Sequence, residues 1–461
     1  MILQCKQDAA DKIPLVQYLC LLAAVVLEFL FFALEDRVGG IAYMYVERYL
    51  AFLAMIFLGA SLCRELSPRA KRTLMLSGFM LGWFFLVQTI HQATELDRKE
   101  SGPFFFVYGM ALPFAAVTDD DLRQRGLKLV TGMFLAASVL VVADAGLLVT
   151  GLLPQALDNY VCWDGARFSA MGHPNKCACL MMIGMGVGLG TCLKTKKRIL
   201  KVLLLTLAAG QYVVICLTNG RTTIVMASLL LGGIAFIALR GASWKRLLAA
   251  LLLGVLTATL AFAGSAKIYN ANKDRLLRQH PAEKAASSET APTAQEADSQ
   301  EKTQAKQDDR ETMTVISPQG SWEKDIRTLN GRTRIWKSAI EGLKENKSVI
   351  LWGTEYVDLI VSRHNSFAVP HTHNSWMEAI YQLGLPGLAV ALVLTIIAAR
   401  DIILLLWRGD DLWKSCIALL TACLLGCAML EPYLFVADVS YHYLDFLFLF
   451  CLGCMNEWCA T

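Results

Sequence analysis

Two histidines, His371 and His373, stand one residue apart in VPHTHNSWMEAIYQLGLPG (Val369 to Gly387), just before a run that turns apolar and stays so to Ala399. The chain has seven histidines in all, so this is a local concentration of nitrogen that titrates near neutral pH. Such a pair can ligate a metal, move a proton in catalysis, or sit as polar residues at the mouth of a helix. Zinc asks for three or four ligands, and HxH supplies two, with no HExxH helix or nearby cysteine; Glu378 is a conceivable third. A proton-transfer role gains if anion-binding groups stand beside the pair, because a base next to such groups suits transfer from a phosphate-linked donor.

Several arginines offer those groups. Arg332 and Arg334 fall in the first turn of NGRTRIWKSAIEGLKENK (330 to 347), where the helix dipole disfavours positive charge. Guanidinium groups placed there add to the unpaired backbone N–H donors and make a phosphate site; solvated arginines or lipid-headgroup contacts are the plainer reading. Arg221 follows Asn219 and Gly220 in the only break of a long apolar stretch, where it either snorkels to headgroups or binds an anion. Arg167, His173 and Asn175 occur in RFSAMGHPNK, where a proline-started helix accounts for His173-Pro174-Asn175.

The elements that must carry these residues are membrane helices. The chain of 461 residues is 55% hydrophobic and 18% charged, with the charges gathered between long apolar runs. A bilayer core needs roughly 20 apolar residues per helix, and twelve runs qualify as spans: 15–34, 41–63, 73–91, 103–117, 127–149, 174–193, 199–218, 221–240, 246–264, 375–399, 413–431 and 436–455. The expected fold class is an all-α integral membrane protein of about 12 transmembrane helices, with a long extracytoplasmic loop between the ninth and tenth. Lysine and arginine cluster in RELSPRAKR (64–72), DLRQRGLK (121–128), KTKKRILK (194–201), RGASWKR (240–246) and RDIILLLWRGDDLWK (400–414). By the positive-inside rule those loops and both termini are cytoplasmic. Arg167, Arg221, Arg332, Arg334, His371 and His373 then share the outer face.

The organisation follows: a membrane bundle over 1–264, an extracytoplasmic segment over 265–374, and a second bundle over 375–461. Within the loop, 282–312 has no aromatic residue and reads as disordered. An amphipathic helix near 331–346 presents Ile335, Trp336, Ala339, Ile340 and Leu343 on one face, with Asn330 as its cap and Lys344 and Lys347 at its C-terminal end. No cleavable signal is expected before the first span. The net charge of +4 follows from topology and argues for no nucleic acid partner. Of the 14 cysteines only Cys162 falls in an exterior loop, so no disulfide framework is implied; Cys451 and Cys454 have CxxC spacing within an apolar helix, where packing accounts for them.

HTHNSWMEAIYQLGLPG resembles the signature of the O-antigen ligase-like and polysaccharide polymerase superfamily, in which a His-Asn pair opens a membrane helix and an acidic residue and a Leu-Gly step follow. GRTRIW, RFSAMGHPN and NGRTTIV resemble the family's arginine motifs in the same order, so the likeness runs from about 160 to 400. The resemblance implies a membrane glycosyltransferase of the cytoplasmic membrane that takes a glycan from undecaprenyl diphosphate, on the outer face, and gives it to a hydroxyl of a glycan, lipid or cell-wall acceptor. It implies His373 as general base and Arg221 and Arg332 as diphosphate ligands, with Arg334 a close alternative to Arg332; His371, Asn374 and Arg167 complete the substrate-binding set. It implies no cofactor and no essential metal.

Three other readings compete. Asp119, Asp120 and Asp121 superficially supply the DxD site of a nucleotide-sugar enzyme, but Thr118 capping a helix with acidic residues in its first turn accounts for them. Glu28, Asp144, Glu431 and Asp445 lie in or beside spans and would suit a transporter or flippase for a lipid-linked glycan. The chain shows no repeated half to support one, and a silent assembly partner is the third possibility.

Overall fold

The computed structural model describes residues 13–30, 40–91, 101–152, 162–163, 167–170, 173–240, 243–278, 332–354, 357–362, 371–409, 411–436 and 442–460. In chain order the helices are α1 (Ile13–Leu30), α2 (Gly40–Leu62), α3 (Pro68–His91), α4 (Ser101–Phe106), α5 (Leu112–Val117), α6 (Asp120–Thr150), α7 (Pro174–Lys194), α8 (Arg198–Leu217), α9 (Arg221–Leu239), α10 (Trp244–Arg278), α11 (Arg332–Glu345), α12 (Lys347–Trp352), α13 (Val357–Ser362), α14 (Ser375–Arg408), α15 (Leu412–Ala428) and α16 (His442–Ala460). One two-stranded antiparallel sheet, β1 (Cys162–Trp163) and β2 (Arg167–Phe168), precedes α7.

Among the described residues nine helices are long and apolar enough to cross a membrane, and three shorter apolar ones, Arg48–Leu62, Gly102–Val117 and Leu412–Ala428, accompany them. The short fourth run is two helices joined through a π-helical turn at Val107–Ala111. The chain is therefore an all-α membrane protein.

The core lies around α7 and α16, whose most apolar stretches are 83% and 72% buried, whereas the corresponding part of α10 is 11% buried and faces outward. Small residues let α7 be central: a Cβ on Gly184 would collide with Ser138 and Gln211, which hydrogen-bond to each other across it (2.6 Å). Cys451 and Cys454 pack in α16, buried and unpaired as disulfides.

Several boundaries differ from the sequence expectation. α15 ends at Ala428 and α16 begins at His442, so Glu431 stands in the connection between them and not inside a span. α14 continues to Arg408 and is broken at Gly384 (φ 66°, ψ −166°). Asp119, not Thr118, caps α6, accepting from Leu122 N at 2.8 Å; Thr118 Oγ1 donates instead to Phe114 O. On α11 the buried residues are Ile335, Ser338, Ala339 and Gly342, while Ile340 is 47% exposed, so the inward face is rotated from the one expected. The stretch 282–312 and the Asn330 cap lie outside the described residues.

Candidate functional site

Asn374 starts α14 by capping it: its Oδ1 accepts from Trp376 N (3.1 Å) and Met377 N (2.9 Å), the role its residue type favours. Its Nδ2 donates to Met429 O (3.0 Å), which fixes the α15–α16 connection beside the cap. His373, immediately before it, has φ 52°, a left-handed conformation that an L-residue adopts only when its surroundings require it. Glu378 fixes the residue before His373. Buried one turn into α14, its Oε2 accepts from Thr372 N (2.8 Å) and Thr372 Oγ1 (2.7 Å), while Oε1 accepts from Gln382 Nε2 (3.0 Å). The carboxylate considered as a third metal ligand thus holds the residue between the two histidines.

The connection after α15 is held as tightly. Ser375 Oγ donates to Glu431 O (2.9 Å) and accepts from Leu434 N (3.0 Å); Asp445 accepts from Phe435 N (2.6 Å); Tyr108 donates to Phe435 O (2.8 Å). Phe435 itself is left-handed (φ 78°). These bonds leave Glu431 little freedom.

Its carboxylate is where the candidates meet. With a side chain only 3% exposed, Glu431 pairs through Oε1 with the Arg332 guanidinium and accepts from Asn175 Nδ2 (3.1 Å), and Oε2 meets His373 Nδ1 (3.2 Å). Asn175 passes the network on, its Oδ1 accepting from Arg167 (3.1 Å), whose Nε donates to Thr218 O (2.9 Å). Burial pushes the Glu431 carboxyl up, but the His373 hydrogen bond and the Arg332 charge outweigh it and bring it to about 2. An ionised carboxylate on Nδ1 keeps the proton on that nitrogen and leaves the lone pair on Nε2, the atom that can take a proton.

The other two histidines are held neutral. His371 stacks edge-on against His373 with ring centroids 4.1 Å apart, and burial with the neighbouring His373 lowers it to about 3. His173 caps α7, its Nδ1 accepting from Asn175 N (3.2 Å), as the Pro-started helix suggested; burial lowers it to about 4. Three buried polar atoms near this point have no hydrogen-bond partner among the described residues: Arg332 Nε, Trp336 Nε1 and His371 Nδ1. Buried donors without acceptors are costly, so Arg332 Nε and Trp336 Nε1 mark where a ligand's oxygens would be received.

The sequence-derived residues divide clearly. Arg332, His371, His373 and Asn374 come together, and Arg167 joins through Asn175. Arg221 opens α9 directly after Gly220, where an added Cβ would lie 3.4 Å from Asn175 Oδ1. Arg334 is exposed on α11 and does not reach Glu431. Sequence reasoning missed Glu431 and Asn175 as site members. The available signal was positional, since the end of the eleventh run falls on the same face as the histidines. Of the transporter-type carboxylates, Glu28 pairs with His442 (2.8 Å) and Asp445 holds the Phe435 amide. Among the described residues no three His, Cys, Asp and Glu side chains are arranged to hold a metal ion.

No curated protein and no solved structure matches the chain. Residues 202–392 do match a family model, that of the O-antigen ligase, and this interval contains Arg221, Arg332, Arg334, His371, His373 and Asn374. That segment of the chain is thus similar to the O-antigen ligase family, and the helices that carry it are those of a membrane protein.

Proposed function

We propose that this protein is a glycosyltransferase that moves a glycan from undecaprenyl diphosphate to an acceptor hydroxyl at the outer face of the cytoplasmic membrane. The observation that carries the reading is the meeting of Arg332 and His373 on the two oxygens of one buried carboxylate, Glu431. A base and an anion-binding group joined in this way suit a reaction in which a hydroxyl loses a proton while a diphosphate departs.

His373 Nε2 takes the acceptor proton, with Nδ1–H held by Glu431, which also stabilises the imidazolium that forms. The acceptor oxygen bonds to the anomeric carbon as the bond from that carbon to the diphosphate oxygen breaks, and the electron pair leaves with the diphosphate. Arg332 turns one nitrogen to Glu431 and keeps Nε for a phosphate oxygen; Arg221, with the first N–H groups of α9, takes another. Attack opposite the leaving group inverts the anomeric carbon. A positioned base supplies about a hundredfold to ten-thousandfold, equivalent to roughly 3 to 5 kcal/mol of barrier, and preorganised cations stabilise the leaving charge in place of a divalent metal. The reading includes twelve crossings, cytoplasmic termini, and an acceptor that is a growing glycan for a polymerase or a lipid or cell-wall component for a ligase.

Reconstitution with a lipid-diphosphate-linked oligosaccharide tests it. Wild type forms a new glycosidic bond in the presence of chelator, whereas His373→Ala and Arg332→Ala leave the donor unreacted. Full activity in His373→Ala removes the base assignment, strict dependence on a divalent metal removes the metal-free mechanism, and movement of donor across the bilayer without bond formation favours a transporter.

A further inference from the structure

The break in α14 is built from both sides. Pro386 has no N–H to offer the carbonyl of Gln382, and left-handed Gly384 turns the chain so that neighbouring carbonyls accept from outside the helix. Tyr381 O accepts from Thr354 N (2.5 Å), and Leu383 O accepts from Trp83 Nε1 (2.7 Å). α12 is pressed into this gap. A Cβ on Gly384 would collide with the backbone of Leu351 and Trp352, and one on Gly353 with the backbone of Gln382. Trp83, from α3, then covers the joint, stacking on Trp352 with ring centroids 5.6 Å apart and planes at 12°.

The same joint adjoins the elements that meet at Glu431. α11 and α12 are consecutive, and α11 begins with Arg332; the first half of α14 is preceded by His373. Tyr381 O–H donates to Ala339 O (2.5 Å), tying that half of α14 to α11 as well. From Gly384 back to Ser375 is nine residues, about 14 Å of helix, so a change of about 5° in the bend displaces the histidine end by about 1 Å. A displacement of that size is enough to cost a reaction about a hundredfold.

We infer that Trp83 is a positioning residue of the reaction: by holding the break in α14 against α12 it sets the register in which Arg332 and His373 meet at Glu431. The inference rests on the glycosyl-transfer reading above, and it assigns a role to a side chain outside the matched interval. Trp83 touches no reacting group. Its Nε1–H supplies the donor that the broken helix lacks, and its ring fixes the end of α12.

The test uses the full-length protein in nanodiscs, comparing wild type with Trp83→Phe, which keeps a ring against Trp352 and removes the N–H. Turnover with a lipid-diphosphate glycan donor should fall about tenfold while the donor KM stays within about twofold, because binding groups are retained and only their register changes. Amide exchange at 351–354 should quicken with the thermal midpoint unchanged. Tyr381→Phe, which loosens the joint from the α11 side, should repeat that kcat-only loss and serves if Trp83→Phe folds poorly. Wild-type kcat in both variants, or a rise in KM matching the fall in kcat, overturns this inference alone. A wild type that forms no glycosidic bond overturns the glycosyl-transfer reading and the reaction Trp83 would serve, and unaltered exchange in Trp83→Phe shows separately that Trp83 does not hold the joint.

Discussion

Replacing Glu431 by glutamine removes one charge and almost no volume. The carboxylate is 3% exposed and faces a guanidinium, Arg332, that is itself only 13% exposed. Breaking a buried pair from one side typically costs about 3 to 5 kcal/mol, because the remaining charge is left without compensation. A glutamine oxygen still accepts from Arg332 and Asn175, so the lower end, about 3 kcal/mol, is expected. The effect on turnover is larger. The amide N–H₂ now faces His373 Nδ1 and donates to it, so the ring proton moves to Nε2 and the lone pair that takes the acceptor proton is lost. Activity should fall about a hundredfold to ten-thousandfold, the range a positioned base supplies. The assay is donor turnover in proteoliposomes beside thermal unfolding in detergent. Combining Glu431→Gln with Arg332→Gln removes the stranded charge, so the pair should cost less stability than the sum of the two while activity stays lost. Wild-type turnover in Glu431→Gln would refute the tautomer argument, and strictly additive stabilities would refute the buried pair.

Glu378→Ala frees the Thr372 amide and hydroxyl and should cost about 1 to 3 kcal/mol of stability along with turnover, whereas Glu378→Gln, which keeps an acceptor for Thr372, should retain most of both; equal losses would show that the charge and not the hydrogen bond matters. Arg332→Ala should abolish transfer while Arg334→Ala, removing an exposed side chain, costs less than about tenfold, as donor turnover would report. Acid should destabilise the fold well before Glu431 titrates. His371 and His173, at about 3 and about 4 in the folded state, lie below their ordinary 6.5, so between those values the unfolded chain binds more protons and stability falls as pH drops. From pH 7 to pH 5 the loss is about 2 kcal/mol for either histidine; Glu431, held at about 2, adds to it only below 4.5. Thermal midpoints at the two pH values measure this, and His371→Asn should shrink the difference; an unchanged midpoint at pH 5 would contradict neutral buried histidines.

The helices were legible because runs of about 20 apolar residues answer one physical requirement, a hydrocarbon layer, that leaves few alternatives. The Pro174 helix start was legible as well, since it depends on residues one turn away. What stayed hidden depends on distance in sequence. Arg332 and Glu431 are 99 residues apart and His373 and Glu431 are 58, and no local pattern records that pairing. Glu431 was further disguised by its setting, since the eleventh apolar run reads straight into it and only the observed helix end at Ala428 takes it out of the span. The α14 break was half visible in Gly384 and Pro386, whereas the partners that complete it, Trp83 and Gly353, lie in other elements.

The arrangement around Glu431 also accounts for why histidines so close together differ in role. Three imidazoles and at least two guanidiniums crowd near one carboxylate, and protonating more than one imidazole would add repulsion that a single negative charge cannot offset. Burial resolves this by keeping His371 and His173 neutral, while the contact with Glu431 singles out His373 as the ring whose positive form has a counter-charge. In the proposed reaction, charge would grow on the His373 imidazole at the moment it grows on the departing diphosphate, and both would be met by groups already joined through Glu431. In that reaction, base and leaving-group ligand would then be held at a fixed separation by their shared carboxylate, which two independent side chains on separate helices would not maintain.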